Sequence, residues 1–399
     1  MKEIIEGKDI IIVGQQAWDD DLGSNCRNIA LEFSKTNRVL YVNYPLDRIT
    51  FLRKAKNAKI RKRINIIRGK EPSIIKLSEN LWNLYPKTII ESINWIRIPW
   101  AYDILNKFNN KKLAKRILDA INILGFKNII LFNDNDIARS FYLKELLNAQ
   151  TSVYYSRDFM IGVEYWKRHG TRLEPKLIAK SDTCVANSVY LVNYCKQYNY
   201  NSYYVGQGCE LEAFKDVPDD YLPADIKNIP SPKIGYLGSL QSIRLDIEII
   251  SLIALSKPQW QIVLVGPEDD VFKGSILHSI SNIHFLGAKP VEMLPSYIQA
   301  FDVCINPQLS NEITIGNYPR KIDEYLAMGK PVVATDTDAM SIFKDYLYLS
   351  KKKEDYIPLI YKALEEDTEE LQSLRKRFAS GHTWENSVKE IYKAMLKTL

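Results

Sequence analysis

The sequence predicts an α/β chain built as two facing Rossmann-like domains, and three observations carry that prediction. Short apolar runs recur and stop at a glycine or proline; helical segments separate them; and the pattern restarts near Lys233 after a proline-bearing stretch. At 399 residues the chain exceeds one ordinary domain and suits two of about 200 each. With 46% hydrophobic and 26% charged residues it can bury a large core, and disorder is not indicated.

Asp9-Ile10-Ile11-Ile12-Val13-Gly14 is an opening buried strand, and a loop over residues 15–24 follows. Residues 25–36 read as a helix and 38–43 as the second strand, which completes a right-handed βαβ unit. Further strands are expected at 81–85, 128–132, 152–155 and 183–187, and Val205 to Glu210 ends this half. Residues 217–232 carry Pro218, Pro223, Pro230 and Pro232 with few bulky side chains and read as linker. The second half opens with a strand at 233–238 that runs into a glycine turn. A helix at 245–255 and a strand at 260–266 come next, then the three runs IHFLG, FDVCINP and PVVAT. Before the last of these, proline just inside a start and glycine just past an end mark residues 319–328 as a helix. On it Lys321 and Glu324 are three apart and share a face. A cation and a carboxylate at a helix entrance, on the C-terminal edge of a parallel sheet, are placed to hold a phosphorylated sugar nucleotide. Residues 371–379 and 384–399 are expected to be helical. The domains are drawn at 1–214 and 215–380, with 381–399 returning to the first.

Other chemistries find little footing. Cys26, Cys184, Cys195, Cys209 and Cys304 are odd in number and never spaced CxxC, as expected of reduced thiols in a cytoplasmic protein. The acidic opening residues do not suit a secretory leader, and no window approaches ~20 uninterrupted apolar residues. No Ser-His-Asp order, zinc spacing or P-loop can be assembled, and His169, after Lys167-Arg168, reads as a solvent-side residue. Asp134-Asn135-Asp136 imitates a divalent-cation motif, but the nucleotide signature lies in the other half. A loop carboxylate facing the cleft is therefore the preferred reading, and no metal or other cofactor is expected.

Net charge is +6, and the stretch from Arg53 through Lys54, Lys56, Lys59, Arg61, Lys62, Arg63 and Arg68 to Lys70 contains no acid. Shortly after, Trp95, Trp100 and Tyr102 sit beside Arg97, Lys107, Lys111 and Lys112. Two readings stay open: peripheral contact with an anionic membrane at the inner face of the cell, or a solvated basic face beside core aromatics. Nucleic acid is not an expected partner, because no nucleic-acid module accompanies the charge.

The series Leu294-Pro295-x-Tyr297, Phe301-Asp302-Val303, Pro319-x-Lys321-x-x-Glu324-Tyr325-Leu326-Ala327 and Gly329-Lys330-Pro331-Val332-Val333 resembles the C-terminal half of GT-B glycosyltransferases. Among these it is most similar to the retaining family four group of bacterial polysaccharide synthesis. The resemblance is specific over residues 233–338 and implies a GT-B fold whose C-terminal helix crosses back to the first domain. It implies a glycosyltransferase moving a hexose-type unit from a nucleoside diphosphate sugar to a saccharide or lipid-linked acceptor. In that group the glutamate matching Glu324 binds the donor ribose, and a lysine or arginine meets the diphosphate, here Lys321 and Arg244. Gly238, Ser239, Gly266, Gly287 and Asn317 complete the expected donor site. The family's second glutamate, eight positions upstream, is replaced by Gly316; Glu312 or Asn311 of the same loop could serve. Acceptor contacts are expected at Gln15, Trp18, Asp19 and Gly23. Asp134 and Asp158 are the candidate bases if configuration inverts. A catalytically silent nucleotide-sugar binding subunit, an epimerase of the same fold and a polyanion-binding protein remain the alternatives.

Overall fold

The computed structural model describes residues 4–20, 24–53, 57–218 and 221–398. The chain folds as two compact units, Met1–Gly206 with Trp384–Leu399, and Gln207–Thr383. The sequence reading drew these divisions after 214 and 380, whereas the units part after Gly206 and Thr383.

Among the described residues unit 1 is built on ten strands: β1 (Asp9–Gly14), β2 (Arg38–Val42), β3 (Leu46–Asp47), β4 (Ile74–Ser78), β5 (Leu81–Leu84), β6 (Ile89–Ile90), β7 (Ile130–Asp134), β8 (Thr151–Ser156), β9 (Thr183–Ala186) and β10 (Ser202–Tyr204). Eight of them form one sheet in the order β10-β9-β8-β7-β1-β2-β5-β4, parallel except for β4, while β3 and β6 pair separately. Alternation along the central strands explains the layering. Ile10, Ile12, Tyr41 and Phe132 face the helices Asn25–Ser34 and Trp384–Leu396. Ile11, Val13, Leu40 and Leu131 face the long helix Pro99–Leu124. The C-terminal helix is thus part of unit 1, with Tyr392 stacked on Phe33 at 5.2 Å and accepting a hydrogen bond from Asn37 at 2.9 Å. The fourth expected strand begins two residues later than the sequence suggested, because Asn128 turns with φ 48° before the sheet is entered.

Unit 2 carries six parallel strands, β11 (Lys233–Leu237), β12 (Gln261–Val265), β13 (Ile283–Gly287), β14 (Val303–Asn306), β15 (Val332–Thr335) and β16 (Tyr348–Ser350), in the order β13-β12-β11-β14-β15-β16. Ile234, Tyr236, Leu264 and Ile305 face helices Ile247–Ser256 and Tyr356–Glu366. Leu237, Val263, Cys304 and Val332 face Lys321–Ala327 and its neighbours. Gly235 is where β11 meets Phe301. The stretch read as linker is instead partly core: Ile226 and Ile229, held by the short helix Ala224–Lys227, are buried in unit 2. Its prolines shape a turn rather than a free tether.

Two predictions follow from this packing. A Cβ on Gly235 would lie 2.1 Å from the Phe301 ring. Gly235→Ala is therefore expected to lower the stability of unit 2 by about 3 kcal/mol, measurable by denaturant unfolding. In unit 1, Glu174 is buried and accepts hydrogen bonds from Tyr154 at 2.7 Å and Tyr194 at 3.4 Å. Burial pushes its carboxyl from 4.5 up to about 7, against those two bonds. The folded state therefore holds a proton that the unfolded chain releases, so stability falls as pH rises from about 4.5 to 7 and is flat above. Glu174→Gln should abolish that slope and gain up to about 3 kcal/mol at pH 8, read by chemical unfolding across the range.

Candidate functional site

In each unit the strand order reverses at one point, β1/β7 in unit 1 and β11/β14 in unit 2. Open parallel sheets bind ligands outside the carboxyl ends of their strands at that place.

In unit 2 the edge is built from glycines. Gly238, after β11, has φ 142°, and Gly266, after β12, has φ 151°; a Cβ on Gly266 would stand 1.9 Å from the Gly238 carbonyl oxygen. Gly238 donates its N–H to Val265 and Gly266 donates to Gly287, both at 2.9 Å, so the three turns step along the edge as one backbone ledge. The helix Lys321–Ala327 enters above it. Lys321 Nζ donates to the Tyr236 hydroxyl at 2.6 Å, lies 4.5 Å from that ring's centroid, and is 3.3 Å from where a Gly238 Cβ would be. Lys321 and the Gly238 turn are thus brought together, and among the described residues Lys321 has no carboxylate within ion-pairing distance.

Glu324, one helical turn on, keeps 16% of its side chain exposed and stands 4.0 Å from Arg320. Burial raises its carboxyl pKa, with Arg320 and Lys321 pulling the other way and Asp323 reinforcing. The remaining helix positions anchor the element. Tyr325 accepts the Leu237 N–H at 2.8 Å, and Asp323, fully buried, meets His382 Nδ1 at 2.5 Å and the Cys209 thiol at 3.3 Å. Tyr236, Asp323 and His382 were not singled out from the sequence, and Tyr325 only as part of the motif Glu324-Tyr325-Leu326-Ala327. A tyrosine two residues before the strand-ending glycine was the only available hint.

The loops beside the ledge are tied to each other. Ser242 donates twice to Asp269, at 2.7 and 2.9 Å, and Arg244 accepts the Leu309 N–H at 2.9 Å through its carbonyl. The side chains of Ser239 and Arg244 are exposed. Asn311 organises the loop after β14 by accepting from Ile313 and Thr314 and donating to the Ile243 carbonyl. Glu312 is exposed on that loop and Gly316 is buried. Asn317 is buried with an Oδ1 that has no hydrogen-bond partner.

In unit 1, Gly14 and Asp134 pair across β1 and β7 at the reversal. Asp134 has no exposed surface, which corrects the reading of a loop carboxylate open to a ligand: it lies against Cys26 and Gly14, and Arg157 Nε sits 2.9 Å away. Burial raises its pKa, opposed by Arg157. Arg157 also meets Asp158 at 3.1 Å, and Asp158 is half-buried, with 38% of its side chain exposed. Asp136 pairs with Arg139 at 2.9 Å, so the Asp-x-Asp carboxylates turn to different arginines rather than to one cation. Asn135, with φ 55°, accepts from the N–H groups of both Arg157 and Asp158 at 3.0 Å, and its carbonyl accepts from Gln15 at 2.7 Å. Trp18 packs edge-on against Tyr41 at 5.1 Å, and Asp19 stands 3.5 Å from Arg63. Gly23 lies outside the described residues.

Sequence reasoning missed a cavity of about 630 Å³ in unit 1, walled by Tyr44, Trp95, Tyr102, Asn106, Trp166 and His169 among others. His169 is buried and stacks on Tyr102 at 3.6 Å, not solvent-side as its basic neighbours suggested. Its helix, Glu164–Lys180, turns Arg168 outward to bond the Asn94 carbonyl and His169 inward. Arg63 of the basic run is likewise buried, 4.5 Å from the Tyr44 ring centroid; Lys54 and Lys56 lie outside the described residues.

Comparison with known proteins agrees with this geometry. A protein of Bacillus subtilis (strain 168), assigned as a teichuronic acid biosynthesis glycosyltransferase, is 28% identical over 201 residues, 47% of this chain and 49% of that one. The match thus spans about half the length of that relative. Sucrose-phosphate synthase of Thermosynechococcus elongatus superposes with a TM-score of 0.67 at 15% identity, over 98% of this chain and 99% of that one. HepE of Anabaena, solved with UDP, superposes with a TM-score of 0.66 at 14% identity, over 98% and 100%. These two likenesses are of fold, the GT-B fold. Residues 231–356, which lie within unit 2 and include the glycine ledge and the Lys321–Ala327 helix, match the family described as glycosyl transferases group 1.

Proposed function

We propose that the chain is a glycosyltransferase of surface polysaccharide or glycoconjugate synthesis, moving a hexose-type unit from a nucleoside diphosphate sugar to a saccharide or lipid-linked acceptor. One observation carries the reading: the Lys321 ammonium, without a carboxylate partner among the described residues, rests on the Gly238 turn at the unit 2 strand reversal. A diphosphate placed there meets a fixed cation and backbone that approaches closely because no side chain intervenes. Arg244, exposed on the adjoining loop, adds a second cation. Glu324 accepts from the ribose hydroxyls, and the carbonyls and N–H groups of the turn at Gly287 meet the base. Asn317 Oδ1 gains the donor it lacks. The UDP and UDP-glucose complexes of Anabaena HepE support a uridine nucleotide as the first to test.

In this scheme Lys321 and Arg244 neutralise the leaving diphosphate as the glycosidic bond of the donor breaks, work that a divalent metal does in other transferases. The acceptor hydroxyl oxygen bonds to the sugar's anomeric carbon as that bond breaks, and its proton passes to the departing diphosphate oxygen. Retention of configuration follows the family resemblance and asks for no protein nucleophile. Should configuration invert, Asp158 is better placed than Asp134, whose carboxylate is wholly enclosed. Glu312, exposed on the loop after β14, is the candidate to face the donor sugar in place of the residue at Gly316. The absence of a glutamate at Gly316 also favours a second reading, a nucleotide-sugar binding subunit without turnover. Donor hydrolysis separates the two.

UDP should raise the melting temperature of the wild-type chain, and at a hundredfold excess over Kd the gain is about 2.7 kcal/mol. Lys321→Ala is expected to weaken UDP binding by about 10- to 100-fold, the loss of one charge-assisted contact. Glu324→Ala should lower donor turnover by a similar factor while the fold is retained. Unchanged turnover in Glu324→Ala would remove that residue from the site.

A further inference from the structure

We propose that the outer face of the helix Pro99–Leu124 is a docking surface for a membrane that bears anionic headgroups. The inference concerns unit 1 by itself and does not rest on the glycosyltransferase reading.

The two basic stretches that the sequence left open separate once folded. In the run from Arg53 to Lys70, the helix Ala58–Ile67 turns Ile64, Ile66 and even Arg63 into the unit, and it presents no large apolar side chain to water. That stretch is a solvated basic face. The helix Pro99–Leu124 does the opposite. Its inner face, with Tyr102, Leu113 and Ile117, is packed into unit 1 and fixes which side looks out. The outer side carries Trp100 at 67% exposure and Ile104 at 63%, followed by exposed Phe108 and Leu118. Trp95 and Ile98, just before the helix, are exposed as well. An outer helix face is ordinarily polar, so apolar side chains recurring every fourth residue from Trp100 to Phe108 point to an apolar occupant.

Charge says which occupant. Lys107, Lys111 and Lys115 are exposed on the same face as Trp100, Ile104 and Phe108, all within an arc of about 100° at 3.6 residues per turn. Among the described residues none of the three lysines has a carboxylate within ion-pairing distance. Asp103 and Asp119 flank the arc and are already paired, with Arg172 at 2.7 Å and with Arg116 at 2.9 Å. A second copy of the chain, meeting this face about a two-fold axis, would set lysines against lysines and be repelled. An anionic bilayer instead meets the ammonium groups with its phosphates and takes the apolar side chains into the boundary beneath them. Indole rings such as those of Trp95 and Trp100 favour that boundary, because one edge is polar and the rest is not.

The test is co-sedimentation of the full chain with phosphatidylcholine vesicles, prepared with and without phosphatidylglycerol. The chain should bind only those with phosphatidylglycerol, and less as salt is raised. Trp100→Ala combined with Ile104→Ala should weaken binding about tenfold. Lys107→Glu combined with Lys111→Glu should weaken it at least as much. All four side chains are exposed, so the melting temperature should not move; if the glutamate pair melts early, Lys107→Gln with Lys111→Gln makes the same comparison. Arg68→Glu with Lys70→Glu makes an equal charge change in the other basic stretch and should leave binding as it is. Equal binding to neutral and anionic vesicles, no binding to either, wild-type binding by the helix variants, or an equal loss in the Arg68 and Lys70 variant would each overturn the inference. So would a wild-type chain that sediments as a dimer and becomes monomeric on Trp100→Ala with Ile104→Ala, since the occupant would then be a second copy.

Discussion

The contact on which the site depends is that of Lys321 with the phenol of Tyr236 and the turn at Gly238. A lysine ammonium held by a neutral hydroxyl and the face of a ring is positioned without being neutralised. Every requirement on the short helix Lys321–Ala327 converges on keeping it there. Ile322, Tyr325 and Leu326 fill the core, Tyr325 also receives the last strand N–H of β11, and Asp323 is locked to His382. That leaves Lys321 and Glu324 toward the edge. A seven-residue helix has little intrinsic stability, so its orientation comes from these tertiary contacts.

Much of this was legible in the sequence, for identifiable reasons. Runs such as Ile10-Ile11-Ile12 and Ile262-Val263-Leu264-Val265 are buried on both faces, and such strands announce themselves by unbroken apolar character. Gly238 and Gly329 mark ends because their backbones need a positive φ. The pair Lys321 and Glu324 followed from helical spacing alone. The two-residue strands Leu46–Asp47 and Ile89–Ile90 carried no such signal, being too short for any period.

What sequence could not disclose depends on partners distant along the chain. The helix Pro99–Leu124 escaped notice because its buried face carries Asn106, Asn109 and Asn110 where an apolar stripe is expected. Each asparagine is satisfied by a carbonyl or amide some 18 to 32 residues away, or by its neighbour a turn along the helix. His169 was misread for the same reason, since its stacking partner Tyr102 lies 67 positions earlier and nothing local reveals it. The cavity is a product of those long-range contacts.

The two strand reversals differ in charge balance, and that difference bears on which ligand each can take. At the unit 1 reversal, Arg157 is flanked by Asp134 at 2.9 Å and Asp158 at 3.1 Å, so an arriving diphosphate would meet a cation already compensated and a carboxylate that repels it. Burial opposes ionisation of the Arg157–Asp134 pair, yet the two carboxylates keep the guanidinium charged, although both Asp134 oxygens and Arg157 Nε are buried without a hydrogen-bond partner. At the unit 2 reversal, Lys321 lacks a carboxylate partner among the described residues, and the nearest pair, Arg320 with Glu324, is loose at 4.0 Å. An anion gains the full attraction of Lys321 only there. The same sheet grammar, repeated twice, therefore ends in two different electrostatic settings: a lysine without a carboxylate partner among the described residues in unit 2, and an arginine flanked by two carboxylates in unit 1.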